Sequence, residues 1–118
     1  MSRNKKMPRD VEVSIRFLKP DEGGRKTPVC NGYRGQFHYA GQKEAWDAPH
    51  EYPDSEWVEL GQTTRAYLAF LSPERHVEKI QVGTSFEVRE GSRLVGVGKV
   101  TEIIDLLESA AKSRSRES

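Results

Sequence analysis

The feature that most constrains the fold is a strict alternation of apolar and polar residues near the start of the chain. From residue 11 to residue 17, β-branched or aromatic residues occupy every odd position and polar residues every even position. A period of two places alternate side chains on opposite faces of a strand. The segment is therefore expected to be a half-buried strand, and its apolar face requires further strands to cover it.

Further strand candidates follow, separated by turn residues such as those of Pro20–Gly24. Within the last candidate, Gly96 and Gly98 fall on one face, which suits a close backbone approach at a barrel corner. About six strands without long helical patterns favour an all-β closed barrel or a sandwich. The further candidates are residues 36–39, 57–60, 66–71, 86–89 and 94–104.

Charge divides the chain into three parts, although its formal net charge is only +1. Residues 1–9 carry four cations and no acid, residues 112–118 carry three cations and one acid, and the stretch between them has 12 Lys and Arg against 17 Asp and Glu. We expect a basic flexible arm at 1–9 and a barrel at 10–105. Helix formers in 106–112 predict a short C-terminal helix, so 106–118 is expected to be a helix with a flexible basic tail.

Few residues could carry catalytic or metal chemistry. The histidines His38, His50 and His76 show none of the HxH, HxxxH or HExxH spacings of metal sites, so they are expected to be surface or loop residues. A nucleophilic pairing of Cys30 with a histidine stays open, although a structural or idle Cys30 is favoured. No enzyme activity, metal or cofactor is predicted.

The same counts bear on location. A single cysteine cannot form an internal disulfide, which fits a cytoplasmic protein. No apolar stretch approaches the roughly 18 residues that a membrane span requires, so no membrane association is expected.

Acidic residues concentrate in one stretch without Lys or Arg, inside a predicted loop at 41–56 and the strand after it. The spacing lacks the D-x-D-x-D-G pattern of a calcium loop, so a solvated or partner-facing acidic loop is favoured. Such a loop would repel phosphate. The acidic residues of this segment are Glu44, Asp47, Glu51, Asp54, Glu56 and Glu59.

Two longer segments carry specific motifs. Residues 22–28 read EGGRKTP and residues 31–37 read NGYRGQF, while residues 86–104 read FEVREGSRLVGVGKVTEII. In content and order they resemble the EGGR-[HK]-TP, GYRPQF and REGGRTVGAGVVTKIL stretches in the C-terminal barrel domain of elongation factor Tu. The resemblance covers about residues 10–104.

The resemblance implies a six-stranded antiparallel closed β-barrel. In the full factor this third domain packs against the GTPase domain, touches the nucleotide exchange factor and contacts the T-stem of aminoacyl-tRNA. The motifs GxxxxGK and NKxD are missing from the chain, so no GTP binding or hydrolysis is expected. The chain is expected to be a freestanding barrel without a GTPase domain.

The family's RNA-contact residues carry over only in part. By resemblance, Gln36 and Glu90 match T-stem contacts, and Arg89 and Arg93 match the arginines of the same hairpin. Other positions depart from the pattern. Ser72 stands for a lysine, Gly35 for the proline of YRPQF, and an acidic segment for RTTDVTG, while about four extra residues lengthen the loop near 76–79.

Two functions remain open. The first is a non-catalytic module that docks a protein partner, of unknown identity but with a translation component as the candidate, through the acidic segment. The alternative is a tRNA- or RNA-binding protein that uses the Gln36/Glu90 face and the basic tails. The acidic body weakens this alternative, because phosphate contacts require net positive surface.

Overall fold

The computed structural model describes residues 7–117 of the chain, with side chains through residue 115. It is an all-β fold with a single α-helix at its end, as the sequence predicts. All strand pairs are antiparallel. The elements are β1 (Val11–Phe17), β2 (Val29–Cys30), β3 (Gln36–Tyr39), β4 (Trp46–Asp47), β5 (His50–Glu51), β6 (Trp57–Val58), β7 (Thr63–Leu68), β8 (Ser85–Glu90), β9 (Arg93–Ile103) and α1 (Leu106–Glu117).

The predicted alternating strand is confirmed and lies at the heart of the sheet. In β1 every odd residue is buried and every even residue is half-buried. The strand pairs with β7 on one side and with β9 on the other. Its apolar face joins a single core that contains all four phenylalanines.

The sheet has seven strands in the order β4-β3-β8-β9-β1-β7-β5, and β2 and β6 form a small second sheet. This differs from the predicted closed six-stranded barrel, because no pairing joins β4 to β5 within residues 7–117. The two edge strands are nevertheless consecutive in the chain, with only Ala48 and Pro49 between them. The sheet must therefore curl into a half-barrel to bring its two edges within two residues of each other.

Gly96 and Gly98 of β9 allow the close approach to the strand backbone that their spacing predicts. A methyl group at Gly98 would lie 2.6 Å from Phe86 Cζ and 2.6 Å from the Ser14 carbonyl oxygen. At Gly96 it would lie 3.3 Å from Phe17 Cδ1. Aromatic side chains of the core thus pack directly on the β9 backbone.

Strand register defines two ends of this half-barrel. Phe17 at the end of β1 lies opposite Gly96, close to the β8–β9 hairpin, and we call this the motif end. Val11 at the start of β1 lies opposite Ile103 of β9 and Leu68 of β7, and α1 follows directly, so we call this the helix end. A seven-residue strand separates the two levels by about 20 Å.

Helix α1 is longer than the predicted two turns and covers the helix end. Leu106 and Ala110 are buried at 1% and 0% exposure. The Ser109 hydroxyl donates to the buried Asp10 carboxylate at 2.5 Å, and the Ser113 hydroxyl donates to Glu74 at 2.7 Å.

The basic arm predicted over residues 1–9 falls mostly outside the described residues. Arg9 lies within the described residues, and its contacts differ from those expected of a flexible arm. Its guanidinium donates to Glu51 at 2.6 and 3.0 Å, and its backbone N–H donates to Asp105 at 3.1 Å. Arg9 therefore belongs to the folded body.

Candidate functional site

Two neighbouring motifs, EGGR at 22–25 and GYR at 32–34, meet the distant REGSR hairpin at 89–93 at the motif end. Glu90, in the β8–β9 hairpin, accepts a hydrogen bond from the Tyr33 hydroxyl at 2.5 Å, across 57 positions of sequence. The same carboxylate oxygen pairs with Arg25, 65 positions away. The EGGR, GYR and REGSR segments are thus joined through one carboxylate.

Gly35 explains how Tyr33 reaches that carboxylate. A methyl group at position 35 would lie 2.6 Å from Val88 Cγ1 and 2.7 Å from Tyr33 Cε2. The tyrosine ring therefore packs across the space that a side chain at position 35 would need. The departure from the proline of the family pattern is accordingly a condition for this Tyr33 position.

Electrostatics fix the protonation states of this cluster. Burial disfavours the Glu90 carboxylate, but the hydrogen bonds from Tyr33 and Arg25 outweigh it and hold the pKa of Glu90 below its usual value. Burial, with the nearby Glu90 carboxylate, raises the pKa of the Tyr33 hydroxyl. At neutral pH Glu90 is therefore an anion and Tyr33 a donor.

The four residues matched to RNA contacts all lie on this surface. Gln36 is half-buried and lies opposite Arg89 in the β3–β8 pairing, while Arg93 lies opposite Glu90 across the hairpin. Arg89 donates to Glu87 at 2.9 Å and to the Ser92 carbonyl at 3.1 Å. Three of the four thus occupy a single hairpin, and Gln36 adjoins it.

Three exposed cations of the same motifs have no carboxylate partner in the described structure. Within residues 7–117, Lys26 and Arg34 are exposed and form no ion pair, and Arg93 binds only the Gly24 carbonyl, at 3.3 Å. Phosphate is the ligand that such a group favours. Arg25, Lys26, Tyr33 and Arg34 lie within the motifs EGGRKTP and NGYRGQF, but the sequence pattern alone does not mark them as ligand contacts.

The acidic segment does not form one continuous face. Glu51 pairs with Arg9 near the helix end, whereas Glu59 lies in the turn that contacts Phe17 through Gly61. Four of its six acids have partners, and within the described chain only Asp47 and Glu59 have none. The four pairs are Glu44 with Lys79 at 4.0 Å, Glu51 with Arg9 at 2.6 Å, Asp54 with Arg65 at 2.9 Å and Glu56 with the Asn31 amide at 3.2 Å.

The histidines are buried, and the expectation of surface or loop imidazoles is wrong. His38, His50 and His76 are 6%, 2% and 0% exposed. His50 Nδ1 shares a hydrogen bond with the Tyr52 hydroxyl at 2.9 Å, and His76 Nδ1 with the Tyr39 hydroxyl at 2.6 Å. Burial lowers the pKa of His50 to about 3 and that of His76 to about 4. His50 and His76 therefore serve as neutral side chains of the core.

Residues 7–117 contain no group of three or more His, Cys, Asp and Glu residues that could hold a metal ion. Cys30 is half-buried and has a free thiol. None of the helices in the described chain is long and apolar enough to cross a bilayer.

Comparison with known families agrees with the resemblance drawn from the motifs. The family model for the elongation factor Tu C-terminal domain matches residues 5–104. The match includes every residue of the Arg25–Tyr33–Glu90 cluster and ends before α1.

Proposed function

Because the chain belongs to the elongation factor Tu C-terminal domain family, we propose that it is a non-catalytic binding module of translation that docks an RNA stem at its motif end. The family relation supports the coarse part of this proposal, a binding role connected with translation. The identity of the ligand rests on the chemistry of the surface itself.

The observation that carries the proposal is the gathering of uncompensated cations around a cluster that is already built. Arg25, Tyr33 and Glu90 fix the two loops and the hairpin to one another through hydrogen bonds and an ion pair. Lys26, Arg34 and Arg93 project from these segments without a carboxylate partner in the described structure. A preformed surface with three available cations favours the phosphodiester backbone, because no loop must be ordered on binding.

The protein-docking alternative receives less support when the partners of its acidic side chains are counted. It was predicted from six acids in one segment, yet four of them are already bound to Arg, Lys or Asn side chains. Exposed ion pairs contribute little net field for attracting a partner. Because the Asn31 amide is neutral, the segment offers three uncompensated carboxylates, and Asp47, in β4, is separate from Glu56 and Glu59, which flank β6.

A catalytic role has no support in the arrangement of the reactive groups. A general base must titrate near the working pH, whereas His50 and His76 have pKa values of about 3 and about 4. Both rings are buried in the core. We therefore assign the module no reaction.

Binding to a 12-base-pair RNA hairpin at several salt concentrations tests the proposal. The variant Lys26→Gln/Arg34→Gln/Arg93→Gln removes the three available cations and no ion pair. Each lost phosphate contact should lower the slope of log K against log salt by about 0.9, so we expect a reduction of about 2 to 3. Affinity near physiological salt should fall at least tenfold.

The matched control is Lys43→Gln/Lys99→Gln, which removes exposed cations away from the cluster and should leave the slope within 1 of the original. Equal losses in the two variants would show nonspecific attraction and contradict the proposed site. Absence of any RNA binding by the unmodified chain would contradict the proposal outright. It would return the protein-docking alternative to first place.

A further inference from the structure

Trp57 is exposed in a molecule that buries its other aromatic rings. Its side chain is 56% accessible, while every other Phe, Tyr and Trp of the described chain is buried or half-buried. Exposed tryptophans keep a large apolar surface in water, and they are enriched among the residues that dominate binding energy at protein interfaces. The ring therefore marks a surface that the motif end does not use.

Strand pairing directs the indole outward. Trp57 lies opposite Cys30 in the small β2–β6 sheet, and the next pair, Val29 with Val58, is buried at 2% exposure on each side. Because successive side chains alternate between faces, Trp57 and Cys30 share the outer face.

The backbone that carries the indole is fixed at several points. The Ser55 hydroxyl donates to the Trp57 carbonyl at 2.6 Å, and the Asn31 backbone N–H donates to the Glu56 carbonyl at 3.1 Å. Asn31 Oδ1 in turn accepts from the Tyr52 N–H at 2.6 Å. An exposed anchor on such a support loses little conformational freedom when a partner binds.

The charges beside the indole are negative. Residues 54–62 contain three acids and neither Lys nor Arg. Asp54 is paired with Arg65, Glu56 is bound only by the neutral Asn31 amide, and Glu59 has no side-chain partner in the described structure. An unpaired carboxylate such as Glu59, two positions after the exposed ring, attracts a cation and repels phosphate.

We propose that the face formed by Cys30, Trp57 and Glu59, here the Trp57 face, docks a basic segment of a protein partner. An arginine or lysine of that segment lies over the indole and pairs with the Glu59 carboxylate, so that cation–π and ionic attraction act on one side chain. This surface shares no residue with the RNA site, and its partner does not depend on RNA binding.

Two-dimensional ¹⁵N spectra of the full chain test the proposal, because the indole N–H of Trp57 can be followed against that of half-buried Trp46. The probe is a nonapeptide of alternating arginine and glycine, compared with a glutamate–glycine peptide and with the RNA hairpin. We expect saturable movement of the Trp57 resonance with the arginine peptide alone. The Trp46 resonance should stay in place.

Substitutions separate the anchor from general charge. We expect Trp57→Ala to weaken peptide affinity at least tenfold and Glu59→Gln about threefold or more, while the control Glu78→Gln/Glu102→Gln, which removes exposed acids elsewhere, leaves it unchanged. Lys26→Gln/Arg34→Gln/Arg93→Gln should also bind the peptide normally, which keeps this result distinct from that of the RNA site. An immobile Trp57 resonance, a larger movement with RNA, or equal losses in the control would overturn the proposal.

Discussion

The motif end and the helix end of the half-barrel are held together by different means. At the motif end, loops are joined by partly exposed charged groups, with Arg25 and Glu90 at 23% and 36% side-chain exposure. At the helix end, α1 is joined to the sheet through Asp10, which is fully buried. The family match covers the strands at both ends but stops before the helix, which buries Leu106 and Ala110 at the helix end. Under the proposed function, binding and stability are therefore assigned to opposite ends of one sheet.

Beneath each end lies a buried histidine bound to a tyrosine hydroxyl, and acid should weaken both. His50 packs against Phe17 and Tyr33 below the motif end, and His76 packs against Phe70 on the helix side. Their folded pKa values of about 3 and about 4 lie below the unfolded value of 6.5. Their stabilisation is therefore complete above pH 6.5 and is lost as the pH falls towards 4 and 3. From pH 7 to pH 5 we expect a loss of about 2 kcal/mol for each histidine, about 4 kcal/mol together.

Urea unfolding at both pH values, with His50→Asn and His76→Asn beside the original chain, checks this expectation. Each variant should lose about half of the pH dependence. Comparing the pH dependence of each variant with that of the original chain also separates the histidine contribution from that of Asp10, whose pKa is raised by burial. The carboxylates with lowered pKa values, such as that of Glu90, titrate below this window. A pH dependence unchanged in both variants would contradict the assignment.

Removing the buried carboxylate of the helix end should have the next largest effect. Asp10→Ala leaves the Phe70 N–H, now 2.8 Å from the carboxylate, and the Ser109 hydroxyl without their acceptor. Stranding buried donors of a charged hydrogen bond costs about 3 kcal/mol. We expect the free energy of unfolding to fall by that amount while RNA affinity of the folded protein stays unchanged.

The control for this change is Asp21→Ala, because Asp21 is exposed at the motif end and should alter stability by less than about 0.5 kcal/mol. A tenfold loss of RNA affinity in folded Asp10→Ala would show that the helix end contributes to RNA binding. It would contradict the assignment of RNA binding to the motif end alone.

At the motif end the corresponding substitution should lower the free energy of unfolding by a smaller amount. Tyr33→Phe keeps the ring over Gly35 but removes the hydroxyl that donates to Glu90 at 2.5 Å. Hydrogen bonds to charged groups contribute about 1.5 to 3 kcal/mol, and the partial exposure of Glu90 favours the lower figure. We expect a loss of about 1.5 kcal/mol in urea and a rise in the Glu90 pKa by carboxylate NMR titration. An unchanged Glu90 pKa would show that Tyr33 does not hold the cluster.

The smallest effect should come from the outer turn of α1. Ser113→Ala removes one hydrogen bond, of 2.7 Å, to Glu74, a residue at the surface of the 73–75 turn. We expect a loss of at most about 1 kcal/mol, seen as faster hydrogen exchange in α1 and unchanged exchange at the motif end. Faster exchange at both ends would show that they unfold as one unit.

Local pattern predicted the fold where the elements are long. The alternation of β1 and the glycines of β9 were sufficient, because each strand carries its own period. The two-residue strands β4 and β5 are too short to have a period, so the two outer strands of the seven-stranded open sheet could not be foreseen, whereas β6 falls within the predicted strand 57–60.

The sequence predicted individual residues of the site but not the contacts that bring them together. The motifs named Gln36, Arg89, Glu90 and Arg93, but the meeting of Arg25, Tyr33 and Glu90 depends on contacts across 57 and 65 positions. Likewise, the burial of His76 depends on packing against Phe70 and Tyr39, and no spacing in the sequence encodes it. Pairing also reduced the acidic segment from six carboxylates to two without a partner in the described structure, which a count of charges does not show.

Mapping the RNA hairpin onto the unmodified chain by amide chemical shifts tests the division between the ends most directly. Saturating RNA should move the amide resonances of residues 24–28, 33–36 and 89–96, while those of α1 and of residues 44–47 stay in place. Movement concentrated in α1, or in the acidic segment, would contradict this division.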